Sequence, residues 1–84
     1  MIRILYFARL RERLAADAER LELPPGVADI DSLRAWLSER GGVWREVFAS
    51  GERVLAAVNQ EMAGGEAPLG DGDEVAFFPP VTGG

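Results

Sequence analysis

The sequence has no cysteine, no histidine and no lysine among its 84 residues. Without thiols and imidazoles it can form neither a disulfide framework nor a metal site with thiolate or imidazole ligands, and a cysteine-free chain fits the cytoplasmic location that we expect. Since all nine basic residues are arginine, no lysine side chain can form an isopeptide bond with another copy of the chain. The sequence also lacks an apolar run near the roughly 20 residues of a membrane span. Arg3 interrupts its apolar start, so we predict neither a membrane segment nor a signal peptide.

Positive charge is scarce as well, since the net charge is −5. Nucleic-acid binding depends on a basic patch or stripe, and an acidic chain without an arginine cluster does not predict one. With no imidazole or thiol available, the serines and carboxylates form no credible catalytic set, so we predict that the chain is not an enzyme on its own. The acidic stretch Asp71–Glu74 could hold a hard cation, but it is more simply a turn leading into a strand. We predict no metal site and no bound cofactor.

Apolar residues make up 48% of the sequence, which is enough to fill one compact core. Hydrophobic periodicity predicts the order β-α-β-α-β-β, with one further helical turn over 43–49 and a short edge strand within the turns of 60–73. The strands are predicted at 1–7, 19–23, 53–59 and 74–79, the helices at 8–18 and 29–42. We expect Ala8, Leu14 and Ala15, with Leu10, to form the apolar stripe of the first helix. Because the first and last strands are the most apolar, we place them in the middle of a mixed sheet. One main helix on one face of this sheet gives an α+β domain of the β-grasp type over 1–80.

The last strand, EVAFF, indicates which of its side chains face the uncovered side of the sheet. Glu74 should not be buried unpaired, so its face is the open one, with Phe78 outside and Phe77 in the core. Arg3 marks the same open face in the first strand, which adds Leu5 and Phe7, and Met62 could join from the turn region. Exposed apolar side chains in a cluster predict a docking surface. The alternatives are that a loop covers them, or that the strand phase is wrong by one residue.

The sequence ends in VTGG, at residues 81–84, and we predict a flexible tail there. Glycine lacks a Cβ, so Gly83 and Gly84 form a thin end that can enter a narrow channel in another protein. A carboxylate is ionised at neutral pH and is a poor electrophile, so chemistry at this end needs activation, most plausibly adenylation with ATP. The alternative is that the Gly-Gly ending is incidental, as small flexible ends often are.

The segments AAVNQ (56–60) and PLGDGDEVAFFPPVTGG (68–84), together with the opening MIRILYFARLRE, closely resemble the small subunit of molybdopterin synthase, a family of ubiquitin-like sulfur carriers. The resemblance covers essentially the whole chain. It implies that an adenylating enzyme related to ubiquitin-activating enzymes uses ATP to adenylate Gly84, and that a sulfurtransferase converts Gly84 to a thiocarboxylate. The tail would then insert into the large synthase subunit and pass its sulfur to cyclic pyranopterin monophosphate, with two charged carriers consumed per product.

By this resemblance Gly84 carries the chemistry, Gly83 gives access, and Val81 and Thr82 thread the channel. The family's apolar contact surface corresponds to the same three residues that the strand phase places on the open face, Phe7, Met62 and Phe78. A heterotetramer of two small and two large subunits is implied by the same analogy. Two other interpretations remain at this point. The chain could carry sulfur for tRNA thiolation or another pathway, or act as a protein modifier, or it could be a plain interaction domain.

Overall fold

The computed structural model describes residues 1–49 and 53–80. It contains five strands and three helices within these ranges, namely β1 (Ile2–Tyr6), α1 (Ala8–Leu14), β2 (Ala18–Leu21), α2 (Ile30–Ser38), α3 (Gly42–Ala49), β3 (Leu55–Val58), β4 (Glu61–Ala63) and β5 (Glu74–Phe78). The short edge strand predicted among the turns is β4. The further helical turn predicted after the main helix is a separate helix, α3.

The strands form one mixed sheet in the order β2-β1-β5-β3-β4. β1 pairs in parallel with β5, while the β1–β2, β3–β5 and β3–β4 pairs are antiparallel. The first and last strands of the chain are therefore neighbours in the interior of the sheet, as predicted from their apolar composition. The predicted α+β architecture of the β-grasp type is confirmed.

The core lies between the helices and one face of the sheet. Ile2, Ile4 and Tyr6 of β1 alternate inward, and each is at most 1% exposed. Val75 and Phe77 of β5 are fully buried beside them. The helices supply the opposite wall of this core with Leu10, Leu14, Ile30, Leu33, Leu37 and Val47. Since all three helices contribute to this one core, no helix of the described residues lies on the other face of the sheet.

The first helix is shorter than predicted, and its apolar stripe is different. Leu10 and Leu14 are buried as expected, but Ala8 and Ala15 are exposed. Ala15 is the left-handed C-terminal cap of α1, with φ of 53°, so its methyl group cannot share the stripe of the helix. The prediction that Ala8 and Ala15 pack inward was therefore wrong. A short helix needs only its two leucines to attach it to the core.

The main helix begins at a capping box. Asp29 is the N-cap: its carboxylate accepts a hydrogen bond of 2.8 Å from the Ser32 N–H, and the Ser32 hydroxyl accepts one of 3.1 Å from the Asp29 N–H. The Ser32 hydroxyl also donates a 2.6 Å hydrogen bond to the Asp29 carboxylate, and this bond, with the one from the Ser32 N–H, holds the pKa of Asp29 below its usual range. Gly41 and Gly42 follow the helix with φ of 77° and 54°, which glycine adopts readily, and they turn the chain into α3.

A polar network ties β2 to the helices across the core. The buried Tyr6 hydroxyl donates to Glu19 at 2.9 Å, and Arg40 donates two hydrogen bonds, of 2.8 and 3.0 Å, to the same carboxylate. The guanidinium also lies over the rings of Trp36 and Trp44, at 5.1 and 4.5 Å from their centroids. Burial raises the pKa of Tyr6, and the Arg40 hydrogen bonds lower the pKa of Glu19.

Among the described residues, no helix has the length and apolar character needed to cross a membrane. The cytoplasmic location stays a prediction.

Candidate functional site

The strand phase predicted for the open face is confirmed. Glu74, Ala76 and Phe78 of β5 are partly exposed, in alternation with Val75 and Phe77, which are fully buried. Glu74 pairs in register with Arg3 of β1, and their side chains approach within 3.9 Å. The two charged residues that identified the open face therefore lie side by side on it, and Phe78 is on that face as predicted.

The open face carries an apolar strip that crosses the whole sheet. The register places Leu5 beside Ala76, Ala76 beside Ala57, and Ala57 beside Met62. On the other side Leu5 pairs with Ala18 of β2. Two alanines, Ala76 and Ala57, thus lie in the middle of this strip between the larger side chains of Leu5 and Met62.

Three larger apolar side chains border the strip where β5 ends. Phe78 pairs with Leu55 of β3, and the Phe7 N–H donates a 3.1 Å hydrogen bond to the carbonyl of Phe77, which continues the pairing of β1 with β5. Phe7 is 44% exposed, and Met62, at the β4 edge, is 67% exposed. We call the strip and these bordering residues the apolar face. It consists of Leu5, Phe7, Leu55, Ala57, Met62, Ala76 and Phe78.

Leu5, Phe7, Met62 and Phe78 were predicted on this face from the sequence, but Leu55 and Ala57 were not. No charged residue in LAAV indicates which of its side chains face outward. In the structure Val54 and Ala56 are buried, while Leu55 is partly exposed and pairs with Phe78 of the open face. Leu55 is therefore identified by the strand pairing and not by a signal in the sequence.

The turn that leads into β5 is held by its own side chains. Asp73 accepts hydrogen bonds from the Asn59 amide at 3.0 Å and from the Gly70 N–H at 2.8 Å, and the Asn59 bond lowers the pKa of Asp73. Asn59 in turn accepts the Glu74 N–H at 3.0 Å. Among the described residues, no group of three or more metal-ligating side chains is placed to hold an ion. The acidic stretch therefore serves as a fixed turn that sets the start of β5.

The opposite end of β5 leads to the predicted tail. Pro79 and Pro80 are half-buried and line a cleft of about 140 Å³ together with Leu10, Arg9, Arg13 and Arg53. We call this the tail-root cleft. The sequence analysis expected no arginine cluster, but the fold brings Arg53, from the start of the β3 segment, against two arginines of α1. The residues predicted to act in the tail, Val81, Thr82, Gly83 and Gly84, lie outside the described residues.

Fold and site together define a class, that of small β-grasp domains in which the open sheet face is apolar and a central strand leads to the end of the chain. The chain belongs to the ThiS family, whose family model matches residues 4–84. It is 43% identical to the molybdopterin synthase sulfur carrier subunit of Escherichia coli (strain K12) and 39% identical to the protein of the same name from Haemophilus influenzae, each over 84 residues and 100% of both chains.

The solved structures agree. The putative molybdopterin converting factor, subunit 1, from Pyrococcus furiosus matches with a TM-score of 0.76 at 31% identity, over 95% of this chain and 97% of that one. The resemblance stated from the sequence motifs is thereby confirmed over the full length.

Proposed function

We propose that this chain is the sulfur carrier subunit of a molybdopterin synthase and that Gly84 is the residue that carries the sulfur. The observation that carries this proposal is the full-length similarity to the E. coli sulfur carrier subunit, 43% identical over 84 residues. The apolar face supports it, because a carrier must be recognised by the proteins that load and unload it. The carrier contributes a reactive end and a docking surface, and the catalytic residues belong to its partners.

The charging reaction follows from the chemistry of a carboxylate. An oxygen of the Gly84 carboxylate attacks the α-phosphorus of ATP and releases pyrophosphate, which leaves an acyl adenylate. A persulfide sulfur from a sulfurtransferase then attacks the acyl carbon, and AMP departs with one of the two original carboxylate oxygens. After reduction of the resulting acyl disulfide by a thiol, Gly84 ends as a thiocarboxylate. The net change is one oxygen atom replaced by one sulfur atom.

Within the tail, each residue has a role that its size permits. Gly83 and Gly84 have no side chains, so the end of the chain can pass a constriction that any larger residue would block. Val81 and Thr82 would line the wider part of the channel. The apolar face would meet the large synthase subunit through Phe7, Met62 and Phe78, and one interface of this kind in each half of a two-plus-two heterotetramer would deliver two sulfur atoms per product.

The first test is the mass of the carrier after charging. The purified chain is incubated with its adenylating enzyme, ATP and a sulfur donor, and intact mass spectrometry should find a gain equal to sulfur minus oxygen at the C-terminal peptide. The same reaction without ATP is the control. No mass change, with a known carrier charged in parallel, would refute the proposal.

The second test separates a molybdopterin carrier from carriers of other pathways. The charged chain is mixed with the large synthase subunit and cyclic pyranopterin monophosphate, and pterin dithiolene product is measured. A variant that lacks Gly83 and Gly84 should fold normally, because removal of an exposed end rarely alters a core, and should yield no product. A plain interaction domain would keep its binding and its cellular role after this deletion.

A further inference from the structure

Charge is distributed unevenly along β5, although the chain as a whole is acidic. The end of the sheet where β5 begins carries four acidic residues, Asp71, Asp73, Glu74 and, on β4, Glu61, against two arginines, Arg3 and Arg20, of which Arg3 pairs with Glu74. At the end where β5 finishes, the tail-root cleft is lined by three arginines, Arg9, Arg13 and Arg53, and by no acidic residue among residues 1–49 and 53–80. The acidic residues lie at the start of β5 and the arginines at its end, and β5 is an interior strand. The chain therefore leaves the domain at the positively charged end of this strand.

The arginines of the tail-root cleft differ in how far they are already engaged. Arg13 lies 3.7 Å from Glu46 of α3, so part of its charge is balanced within the domain. Arg9 and Arg53 are exposed, and neither forms an ion pair with any residue in the part of the chain that the structure describes. The uncompensated positive charge of the cleft therefore comes mainly from Arg9 and Arg53, on either side of the prolines.

We propose that the tail-root cleft binds an acidic rim on the proteins that receive the tail, with Arg9 and Arg53 as the residues that make the contact. This inference rests on the proposed function, since it requires that the tail enters a partner. Pro79 and Pro80, which line the cleft, directly follow Phe78, so the cleft lies at the end of β5 from which the tail leaves. A partner that encloses the tail from Pro80 onward therefore meets the cleft.

The position of the cleft argues for a protein surface over a nucleotide. Four residues separate Pro80 from the end of the sequence, and extended chain spans at most about 3.5 Å per residue, so Gly84 can lie up to about 14 Å beyond Pro80. An adenylate formed at Gly84 inside a channel would be held near that distance. While Gly84 is inside the channel, Arg9 and Arg53 face the protein surface around the channel entrance. Carboxylates on that surface are the groups with which guanidinium ions pair best.

We expect the tail-root cleft to control the orientation in which the carrier first meets its partner. A carrier with a net charge of −5 would be repelled by an acidic partner in most orientations, whereas the tail-root cleft attracts it in the one orientation that presents the tail. Charges at the rim of an interface act mainly on the association rate constant and its salt dependence, and less on dissociation. The cleft would therefore select the productive orientation before the apolar face makes contact.

The test measures association of the full chain with the large subunit of molybdopterin synthase by stopped-flow fluorescence at low and high salt. Arg9→Glu and Arg53→Glu should each lower the association rate constant about fivefold at low salt, with the difference fading at high salt. Arg20→Glu is the matched control, because Arg20 is exposed on β2 and lies beside Arg3 at the opposite end of the sheet. It should change the rate constant less than twofold.

Two further variants exclude a purely structural explanation. Arg9→Lys and Arg53→Lys keep the charge and should keep the association rate constant close to that of the unaltered chain, since long-range attraction needs charge and not the guanidinium shape. Equal rate constants for Arg53→Glu and Arg20→Glu, in proteins with unchanged urea midpoints, would overturn the inference while leaving the proposed function intact. Absence of any association by the unaltered chain would instead overturn the proposed function, and the inference with it.

Discussion

The adjacent phenylalanines of β5 should respond to the same substitution in opposite ways. Phe77 is fully buried, stacks on Tyr6 at 6.3 Å between ring centroids and meets the edge of Phe48 at 5.1 Å. Phe78 is on the open face, half-exposed, and borders the apolar strip. We expect Phe77→Ala to remove stability and leave the docking surface in place, and Phe78→Ala to do the reverse.

The magnitude follows from burial. Truncation of a fully buried phenylalanine to alanine costs about 3–5 kcal/mol, because the lost transfer free energy is joined by the energy of the cavity left behind. The loss at Phe78 should be smaller, about 1–2 kcal/mol, since its side chain is only partly buried. A domain of this size has a free energy of unfolding of about 5–15 kcal/mol, so Phe77→Ala removes a large part of it. Phe77→Leu provides a milder variant of the same site.

The assay is urea unfolding followed by tryptophan fluorescence, since Trp44 lies 5.5 Å from the Tyr6 ring in the core. With a urea m-value of about 1–2 kcal/mol/M for so short a chain, a loss of 4 kcal/mol shifts the midpoint by about 2–4 M. Binding to the large synthase subunit is measured on the same samples, and Phe78→Ala should weaken it by at least about 2 kcal/mol, as expected for an aromatic hot spot. A larger loss of stability from Phe78→Ala than from Phe77→Ala would refute the assignment of the two faces.

Two further predictions concern the packing that supports the site. Glu19→Gln should lower the free energy of unfolding at neutral pH and have little effect in strong acid. The reason is that Arg40 holds the pKa of Glu19 below its usual range in the folded protein, so its contribution is present above the unfolded-state pKa of about 4.3 and is lost as the pH falls through the lower folded-state value. Equal losses at both pH values, by urea titration, would contradict this. Gly65→Ala should cost at most about 1 kcal/mol, because a Cβ there would overlap only with the Asp31 carboxylate, the end of an exposed side chain that can turn away. Gly64→Ala, with open space at its Cβ, is the control, and a Gly65→Ala penalty that persists in the Asp31→Ala background would show that this overlap is not the cause.

The faces of the sheet could be predicted from the sequence because the first and last strands, β1 and β5, each carry a charged residue that fixes the strand phase. Arg3 and Glu74 lie in register on the open face, and a shift by one residue would have buried both. The same reasoning failed for β3 because LAAV has no charged residue to indicate a face. Leu55 is identified as part of the apolar face only by its pairing with Phe78, which is a tertiary contact.

The parts that escaped prediction depend on contacts between distant segments or on backbone angles. The separate helix α3 begins at the second of two consecutive left-handed residues, Gly41 and Gly42, and a glycine pair alone does not indicate its φ values. The tail-root cleft needs Arg53 to approach α1, which only the folded topology brings about. The Glu19–Arg40 contact joins residues far apart in sequence for the same reason.

The interior position of β5 has a mechanical consequence. Its neighbours, β1 in parallel and β3 in antiparallel orientation, both run along its length, so a pull on Pro80 along the strand loads the hydrogen bonds on both sides in shear. Bonds strained side by side share the load, whereas those of a peeled hairpin break one after another. The tail can therefore be withdrawn from a tight channel in each cycle while the domain to which it is attached stays folded.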